Sequence, residues 1–594
     1  GFLSLGRNIN KAKEEPLEEE GIVGEKVSEL SLEKSDDELL KLKNKWEKRW
    51  NESPAKKELE RKQELNEKYW LGDHYTNAQK KTNLKEPVDN LVFEALETFL
   101  PVATRQIAEP MVTTLNVAAA QMFAKKLGDR LKDVADVSRL RLKVKKAVRY
   151  WALYFVGCVK LGWSLDKNEI IAQAIRPQQL ILDPDALTDE CEYEGEYLGH
   201  YRMDSASDLM ARFSEKAEEI KNLVDEQNLG TKIKYVEWWH ADYIFWTLKD
   251  IVLGKNKNPH WNYDEVKPAQ ESVDEFGMPI MIPEETIPGT NHFSSRKIPF
   301  AFLSIFNLGK NPFDDTGLIE QILPMQDKVN KRVRQIDKNA DNTNGGAVVS
   351  GDAFNKEQAA QVGEALRKGM TVWVPNGDVN RAYKRDTGTP LPSFVYQDLI
   401  DSRNEVRGIF GTTGLSAQGI KSEETVRGKI LVRGQDSDRA SLIVDHIEQF
   451  YDYIFNWMTQ MMVVYYDEPR NVSRTQGAET ISAQEFIHPL VISIKEGSLI
   501  PKDRLTLRNE AVDLWSAGAL DPLTLAERLE MPDPQEFVRR LVLWKTNPLA
   551  LVPELQQQMA AQVPPEQVPP EQAQPPPEGE PVESPNLLSQ VPIT

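Results

Sequence analysis

Cysteine is almost missing from this chain of 594 residues: there are two, Cys158 and Cys191, and no C-x-x-C pair. That argues against a disulfide framework and against a thiolate zinc site, and it fits a reducing compartment. The histidines are few and scattered, with no His-x-x-x-His or His-Glu pair, which argues against a zinc hydrolase. No Gly-x-Ser-x-Gly elbow occurs. Long apolar runs are missing too. The two most apolar windows, 147–163 and 450–466, are interrupted by Arg149 and Lys160 and by Asp452. Both fall short of the roughly 20 clean residues of a membrane-spanning helix and read as buried helix or strand. The first residues lack a basic start followed by an apolar core, and Leu5 stands where an N-myristoylation signal wants Ser or Thr. Basic excess is the last absence. With 92 acidic against 73 basic residues the net charge is −19. Tight sequence-reading of nucleic acid is therefore not expected of the whole chain, although local basic residues still allow DNA to pass close by.

What is present is a chain able to fold. Hydrophobic residues make up 40% and charged residues 28%, enough to bury a core over several domains or one composite subunit. Residues 1–35 are acidic and turn-rich, and are expected to be mobile. Residues 36–71 are charge-dense with recurring Leu39, Leu40, Leu42, Trp46 and Trp50, which predicts a solvated amphipathic helix. Further helices are expected over 88–108 and 118–154. From Phe155 the pattern turns to strands: 156–165, 169–175, a strand closed by the Asp183-Pro184-Asp185 turn, 192–201, and 232–253. Trp238, Trp239 and Trp246 in the last of these read as sheet core, with base stacking as the alternative. Ser205 or Ser207 caps a helix to Phe213. Residues 254–296 read as an irregular polar region. Near the end, 501–544 gives short amphipathic helices broken at Gly518 and Pro532, and 547–594 is a Pro/Gln/Glu-rich tail expected to be disordered. No solenoid-like repeat is visible.

The informative stretch is 298–467. A strand at 297–303 precedes a helix running from Asp314 to about Asp341. At about 100° per residue, Ile322, Met325, Val329, Val333 and Ile336 cluster on one side of it, and Lys328, Lys331, Arg334 and Lys338 fall opposite. Taken alone, that basic stripe is an ordinary solvated face. A short strand at 347–349 follows, then a helix opened by an Asn355–Gln358 capping box and ended at Gly369. A second strand is expected at 371–374, and a turn at 375–378 leads into Arg381-Ala382-Tyr383. This small α/β insert stands between two helices, the second being 393–410 with Phe394, Leu399, Val406 and Phe410 apolar. A glycine-punctuated loop comes next, followed by a very long helix. No Pro or Gly occurs between Gln435 and Asp467, and Ile443, Ile447, Phe450, Ile454, Met458, Met461 and Tyr465 follow at helical spacing.

In this order of elements the chain resembles the portal (head–tail connector) proteins of tailed bacteriophages. The resemblance spans about 85–545. It rests on the Arg176-Pro177…Leu182-Asp183-Pro184 turn, the strand leading into the helix at 319–341, the α/β insert, the Thr-Gly-Leu…Gly loop, and the long helix whose start contains Arg427-Gly428. It implies an α+β, mainly helical portal fold in a ring, usually of twelve subunits. Its implied parts are a mixed α/β wing (36–313), a two-helix stem (314–344 and 391–411), an α/β clip (345–390) and a tunnel loop (412–424). A long wing helix with a following strand (425–500) and a helical crown (501–546) complete it. The implied role is a structural channel at one capsid vertex through which DNA is packaged and ejected. Lys328, Lys331, Arg334 and Lys338 would line the stem. Gly414, Leu415, Ser416, Ala417, Gln418, Gly419, Ile420 and Lys421 would form the tunnel loop. Trp373, Asn376, Asp378, Arg381 and Tyr383 would make clip contacts to neighbouring subunits or the motor. The implied partners are further copies of the chain, double-stranded DNA, the terminase packaging motor, the major capsid protein and tail adaptors. No membrane, cofactor, metal or catalytic residue is implied. The expected location is the portal vertex of the virion, after assembly in the host cytoplasm. The composition suits sliding DNA: each phosphate contact adds affinity through counterion release, so a conduit wall should carry few of them.

Two motifs in this stretch are near misses. Gly414-x4-Gly419-Ile420-Lys421-Ser422 resembles a phosphate-binding loop, but the extra Ile displaces the Lys, and a helix rather than a strand precedes it. Asp337-x-Asn339-x-Asp341 imitates a calcium loop whose required Gly is Asn342 and whose bidentate Glu position is Val348. The competing functions are a viral adaptor or scaffold that forms no channel, and a nucleic-acid-processing enzyme. The second would need converging carboxylates that the sequence does not present.

Overall fold

The computed structural model describes residues 32–75, 86–104, 108–114, 118–189, 191–223, 230–273, 279–307, 316–343, 346–367, 370–374, 378–386, 390–411, 426–472, 479–487, 489–494, 504–529, 531 and 534–546. It falls into two compact units, Gly1–Pro501 and Lys502–Thr594.

The first unit opens with two helices where 36–71 reads as one: α1 (Asp36–Glu52) and α2 (Pro54–Trp70). Pro54 divides them, because it donates no backbone N–H and its predecessor avoids the helical region. Ser35 caps α1 by accepting from the Glu38 N–H at 3.3 Å, and Glu38 accepts in return from the Ser35 N–H. Nor is α1 merely solvated. Leu39, Trp46 and Trp50 are buried, and Trp46 stacks on Tyr197 with ring centroids 4.8 Å apart. Then come α3 (Leu91–Ala103), β1 (Pro110–Thr114), α4 (Ala118–Val137) and α5 (Leu140–Tyr154). The single helix expected over 118–154 breaks at Arg139, whose φ of 51° is left-handed. For an L-residue that conformation costs roughly 1–2 kcal/mol.

The strand-rich part follows as β2 (Gly157–Ser164), β3 (Glu169–Ile175), β4 (Leu180–Leu182), β5 (Leu187–Asp189), β6 (Glu192–Glu194) and β7 (Leu198–Ser205). The strand expected over 192–201 is thus two. Next are α6 (Ala206–Arg212), capped by Ser205, and α7 (Ala217–Asn222). Strands β8 (Lys232–Trp239), β9 (Tyr243–Leu248) and β10 (Ile251–Lys257) come after them. The region expected to be irregular holds two small pairs, β11 (Glu265–Lys267) with β14 (Glu285–Ile287) and β12 (Gln270–Val273) with β13 (Pro279–Ile282). Then comes β15 (Phe300–Leu303). Strands β10-β9-β8-β7-β4 form one antiparallel sheet and β15-β2-β3 another. Gly157 starts β2 against α5 so closely that a Cβ there would lie 2.4 Å from the Ala147 carbonyl oxygen.

Beyond the sheets lie α8 (Leu318–Thr343), β16 (Gly346–Val349), α9 (Lys356–Arg367), α10 (Val379–Ala382), β17 (Tyr383–Asp386) and α11 (Ser393–Ile409). The calcium-loop imitation at Asp337–Asp341 is ordinary helix within α8. The long α12 (Val426–Tyr465) leads to β18 (Arg470–Asn471), β19 (Thr480–Ile481) and β20 (Leu490–Ile494), and β20 pairs antiparallel with β1. The expected apolar series on α12, from Ile443 to Tyr465, is buried in one core with α3, α4, α5, β2 and β3, while α1 and the five-stranded sheet enclose a second. In the second unit, α13 (Arg504–Ser516), α14 (Pro522–Arg528) and α15 (Pro534–Thr546) are short helices. Gly518, with φ 71°, turns the chain after α13. The N-terminal segment to residue 31, the loop 412–424 and the tail 547–594 lie outside the described residues.

Candidate functional site: a helical hairpin latched by charge

Helices α8 and α11 pack along each other, with Val329, Val395, Leu399 and Val406 buried. Polar contacts fix their direction. Asp398 of α11 lies 2.6 Å from Lys328 Nζ and 2.7 Å from Arg332 Nε of α8. Further along, Arg403 meets Asp89 at 2.7 Å, and Asp89 also offers its main chain to α8: its carbonyl accepts from Gln326 at 2.6 Å and its N–H donates to Asn330 at 3.3 Å. Rising numbers on one helix thus match falling numbers on the other, which makes an antiparallel hairpin. Hydrogen bonds from Lys328 and Arg332 hold the Asp398 carboxyl below the usual carboxylate range.

The segment before α3 clamps this hairpin. Gln326, fully buried, accepts from the Leu91 and Val92 N–H groups at 2.9 and 3.3 Å. A side chain of α8 therefore serves donors at the start of α3, of which the Leu91 N–H also reaches the Asp89 carbonyl at 3.0 Å. Arg407 meets Glu94 at 2.9 Å, and Tyr69 donates to Asp327 at 2.6 Å. Arg334 Nε lies 3.1 Å and Lys338 Nζ 3.2 Å from the Glu86 carboxylate. The four basic residues that helical spacing puts on one face thus have different surroundings. Lys328 and Arg334 are engaged inside the subunit. Lys338 has a partner but keeps 69% of its side chain exposed. Lys331 is exposed and carries no ion pair among the described residues.

At the far end of the hairpin, β16 and β17 pair antiparallel, with Val349 opposite Tyr383. Asn355 donates its N–H to Gln358 at 3.0 Å, the expected return bond of the capping box. Ala353, Phe354, Val362 and Ala382 form a small core, with Val349, Val372 and Val374 against it. The strand expected at 371–374 does not form. The alternation is there, with Val372 and Val374 inward and Trp373 84% exposed, but the partner of β16 is 383–386. The Asp378 carbonyl accepts from the Arg381 and Ala382 N–H groups, both at 2.9 Å, turning the chain into α10, and Asp378 and Arg381 are exposed. Asn376 and residues 414–421 lie outside the described residues, as does the near-miss phosphate loop.

A second polar cluster, invisible in the sequence, sits inside the sheets. Glu237 of β8 pairs with Lys160 of β2 and, at 3.1 Å, with Arg202 of β7, and it accepts from the Trp239 and Trp246 indoles. All five residues are buried. Burial pushes the Lys160 amine down to about 8. Burial also opposes charge on Glu237, yet the cations Lys160 and Arg202 hold it well below the usual carboxylate range. Trp238, Trp239 and Trp246 are sheet core, as their alternation predicts. Among the described residues no group of three or more His, Cys, Asp or Glu could hold a metal ion, and no helix is long and apolar enough to cross a membrane.

A hairpin held by ion pairs and tipped with its own small core presents surface but, in what is described, no converging catalytic groups. Comparison with known families gives the class: a portal, or head–tail connector, structural protein of bacteriophages. More narrowly, the family described as Phage P22-like portal protein matches residues 48–486, and the chain belongs to that family. Membership implies a virion capsid vertex and capsid and packaging proteins as partners. No individual curated protein matches the chain.

Proposed function

We propose that the chain forms a ring, usually of twelve copies in its family, whose bore passes double-stranded DNA during packaging and ejection. The ring docks the terminase motor and later the tail adaptors, having assembled in the host cytoplasm. The hairpin latched by Asp89, Glu94 and Glu86 and carrying a separate module at its end supports this reading most directly. In it residues 36–313, helices and then the β-rich part, are the wing, α8 and α11 the stem, the β16–β17 module the clip, residues 412–424 the tunnel loop and residues 501–546 the crown. Trp373, Asp378, Arg381 and Tyr383, with Asn376, make the clip contacts to neighbours or motor. Gly414 to Lys421 border the bore.

Of Lys328, Lys331, Arg334 and Lys338, the charge pattern favours Lys331 and Lys338 as lumen-facing, because Lys328 and Arg334 are already neutralised. That suits a conduit: a wall whose cations are mostly paired guides a duplex with few counterion-releasing contacts. Lys331→Glu/Lys338→Glu tests this in a complementation assay that counts DNA-filled heads. The expected result is intact rings with filled heads reduced about tenfold or more, the effect of placing like charge beside a dense phosphate column. Normal filling would remove these residues from the bore.

A further inference from the structure

The strand pairs β11–β14 and β12–β13 are one structure. Glu265 lies opposite Ile287 and Lys267 opposite Glu285, then Gln270 opposite Ile282 and Val273 opposite Pro279. The residue numbers of every opposed pair add to the same total, so a single antiparallel register runs the whole length. The ladder breaks only beside Pro268 and Pro283, which have no N–H to donate. Residues 265–273 and 279–287 therefore make a two-stranded arm about 30 Å long. Every residue from Asp264 to Ala269 and from Pro283 to Thr286 is exposed, so along these stretches nothing among the described residues covers either face. Val266, 54% exposed, and Met281, 67% exposed, leave apolar side chains in water. A two-stranded ribbon alone is only marginally stable in water.

The base of the arm, by contrast, is fixed. The Asn262 N–H donates to Asn291 Oδ1 and Asn291 Nδ2 donates back to the Asn262 carbonyl, both at 2.8 Å, while the Gly289 N–H donates to Asp264 at 2.8 Å. The two strands approach so closely there that a Cβ on Gly289 would lie 2.1 Å from the Asn262 carbonyl oxygen. Gln460 of α12, fully buried, donates to Asn291 Oδ1 at 2.9 Å and to the His260 carbonyl at 3.1 Å. It also accepts from the His292 and Phe293 N–H groups at 2.8 and 3.0 Å. The arm thus leaves the body in a set direction, from a buried anchor. Its charge is one-sided: residues 264–288 hold seven carboxylates and one lysine. Glu265, Glu284 and Glu285 carry no ion pair among the described residues.

We propose that this acidic arm lies on a neighbouring copy of the chain and fastens the two together through its side chains. The proposal rests on the ring reading, which supplies the neighbour. A fixed base aims every arm alike, as a closed ring of identical subunits requires. The arm's length matches the diameter of a small domain, so it can cross one. The chain also carries the counter-charge: Lys41 and Lys45, one turn apart on α1, are exposed and carry no ion pair among the described residues. Strand addition fits less well. Pro268, Pro279 and Pro283 interrupt the donors along the arm's edges, which discourages edge-to-edge pairing. The faces, with Val266 and Met281 set among carboxylates, are left to make the contact.

The test mixes unlabelled and heavy-isotope-labelled full-length chain before assembly. A zero-length carbodiimide then joins carboxylates to adjacent lysines, and mass spectrometry of the isolated rings reads which copies were joined. Peptides from 264–288 should be linked to lysine peptides that carry the other label. In parallel, Glu265→Gln/Glu284→Gln/Glu285→Gln should keep the wild-type circular dichroism and raise about tenfold the concentration at which rings half-dissociate. Arm links confined to one label, in rings that show other links between labels, overturn the proposal. So does a triple variant whose rings half-dissociate within about twofold of the wild-type concentration. Rings of unchanged stability that no longer enter heads in a complementation assay also overturn it, and assign the arm to the capsid protein. A wild-type chain that stays monomeric removes the ring reading itself, and the proposal with it.

Discussion

Glu237 is the residue on which the sheet's interior charge depends. Replacing one partner of a buried ion pair strands the others, at a cost typically about 3–5 kcal/mol. Glu237→Gln removes the carboxylate that Lys160 and Arg202 share, so it should lower the subunit's melting temperature sharply, as measured by calorimetry or circular dichroism. A loss no larger than that of an exposed Glu→Gln change would show that the cluster is not integral to the core. His260 gives a pH dependence. It is buried, stacked on Trp239 (5.5 Å between ring centres), and 3.2 Å from the Tyr465 hydroxyl through Nδ1. Burial, and then Lys160, push its imidazole down to about 3. The unfolded chain takes up a proton near pH 6.5 that the folded chain refuses, so this contribution is complete above that pH. It is lost as pH falls toward 3, at about 1.4 kcal/mol per unit within the window. Buried His200 shifts the same way. His260→Gln should flatten the decline in melting temperature between pH 6.5 and 4. An unchanged slope would assign acid lability to other groups.

At the scale of elements, the hairpin has contacts of unequal weight. Gln326 has no exposed surface and serves two main-chain donors of α3, whereas Asp398 keeps a quarter of its side chain in water. Leaving a buried main-chain donor, here the Val92 N–H, without its partner costs about 1–3 kcal/mol, while ion pairs open to solvent contribute little. Gln326→Ala should therefore destabilise the subunit clearly more than Asp398→Asn, as read from their melting temperatures. The reverse order would mean that surface charge, and not the buried amide, fastens the hairpin. Much of this architecture was legible because its signals are local. Apolar spacing gave α8, α11 and α12, the Asn355–Gln358 box gave the start of α9, and Ser205 gave that of α6. What escaped depends on distant partners. The β1–β20 pairing joins segments about 380 residues apart. The alternation at 371–374 was real, but β16 found its partner elsewhere. The wheel that set Lys328 and Arg334 on a solvated face could not know that Asp398 and Glu86 would cover them. Alternation along β2, β7 and β8 likewise could not reveal that Lys160, Arg202 and Glu237 converge. The break at Arg139 carries no glycine or proline to announce it.

The whole molecule is an acidic portal-family subunit, and among its described residues many packed basic side chains meet carboxylates while a few carry no ion pair. Lys331 on the hairpin is one of these. Under the proposed reading, that distribution suits a conduit that holds DNA near without stopping it, and a closed ring of copies would turn sparse charges into rings of charge. The direct measurement is the native mass of the purified full-length chain, with class-averaged electron micrographs down the particle axis. The account predicts an annular particle with an open bore and a mass about twelve times the 67.6 kDa of one chain, stable to dilution and moderate salt. A monomer unchanged by concentration or salt, or a closed particle without a bore, would contradict it.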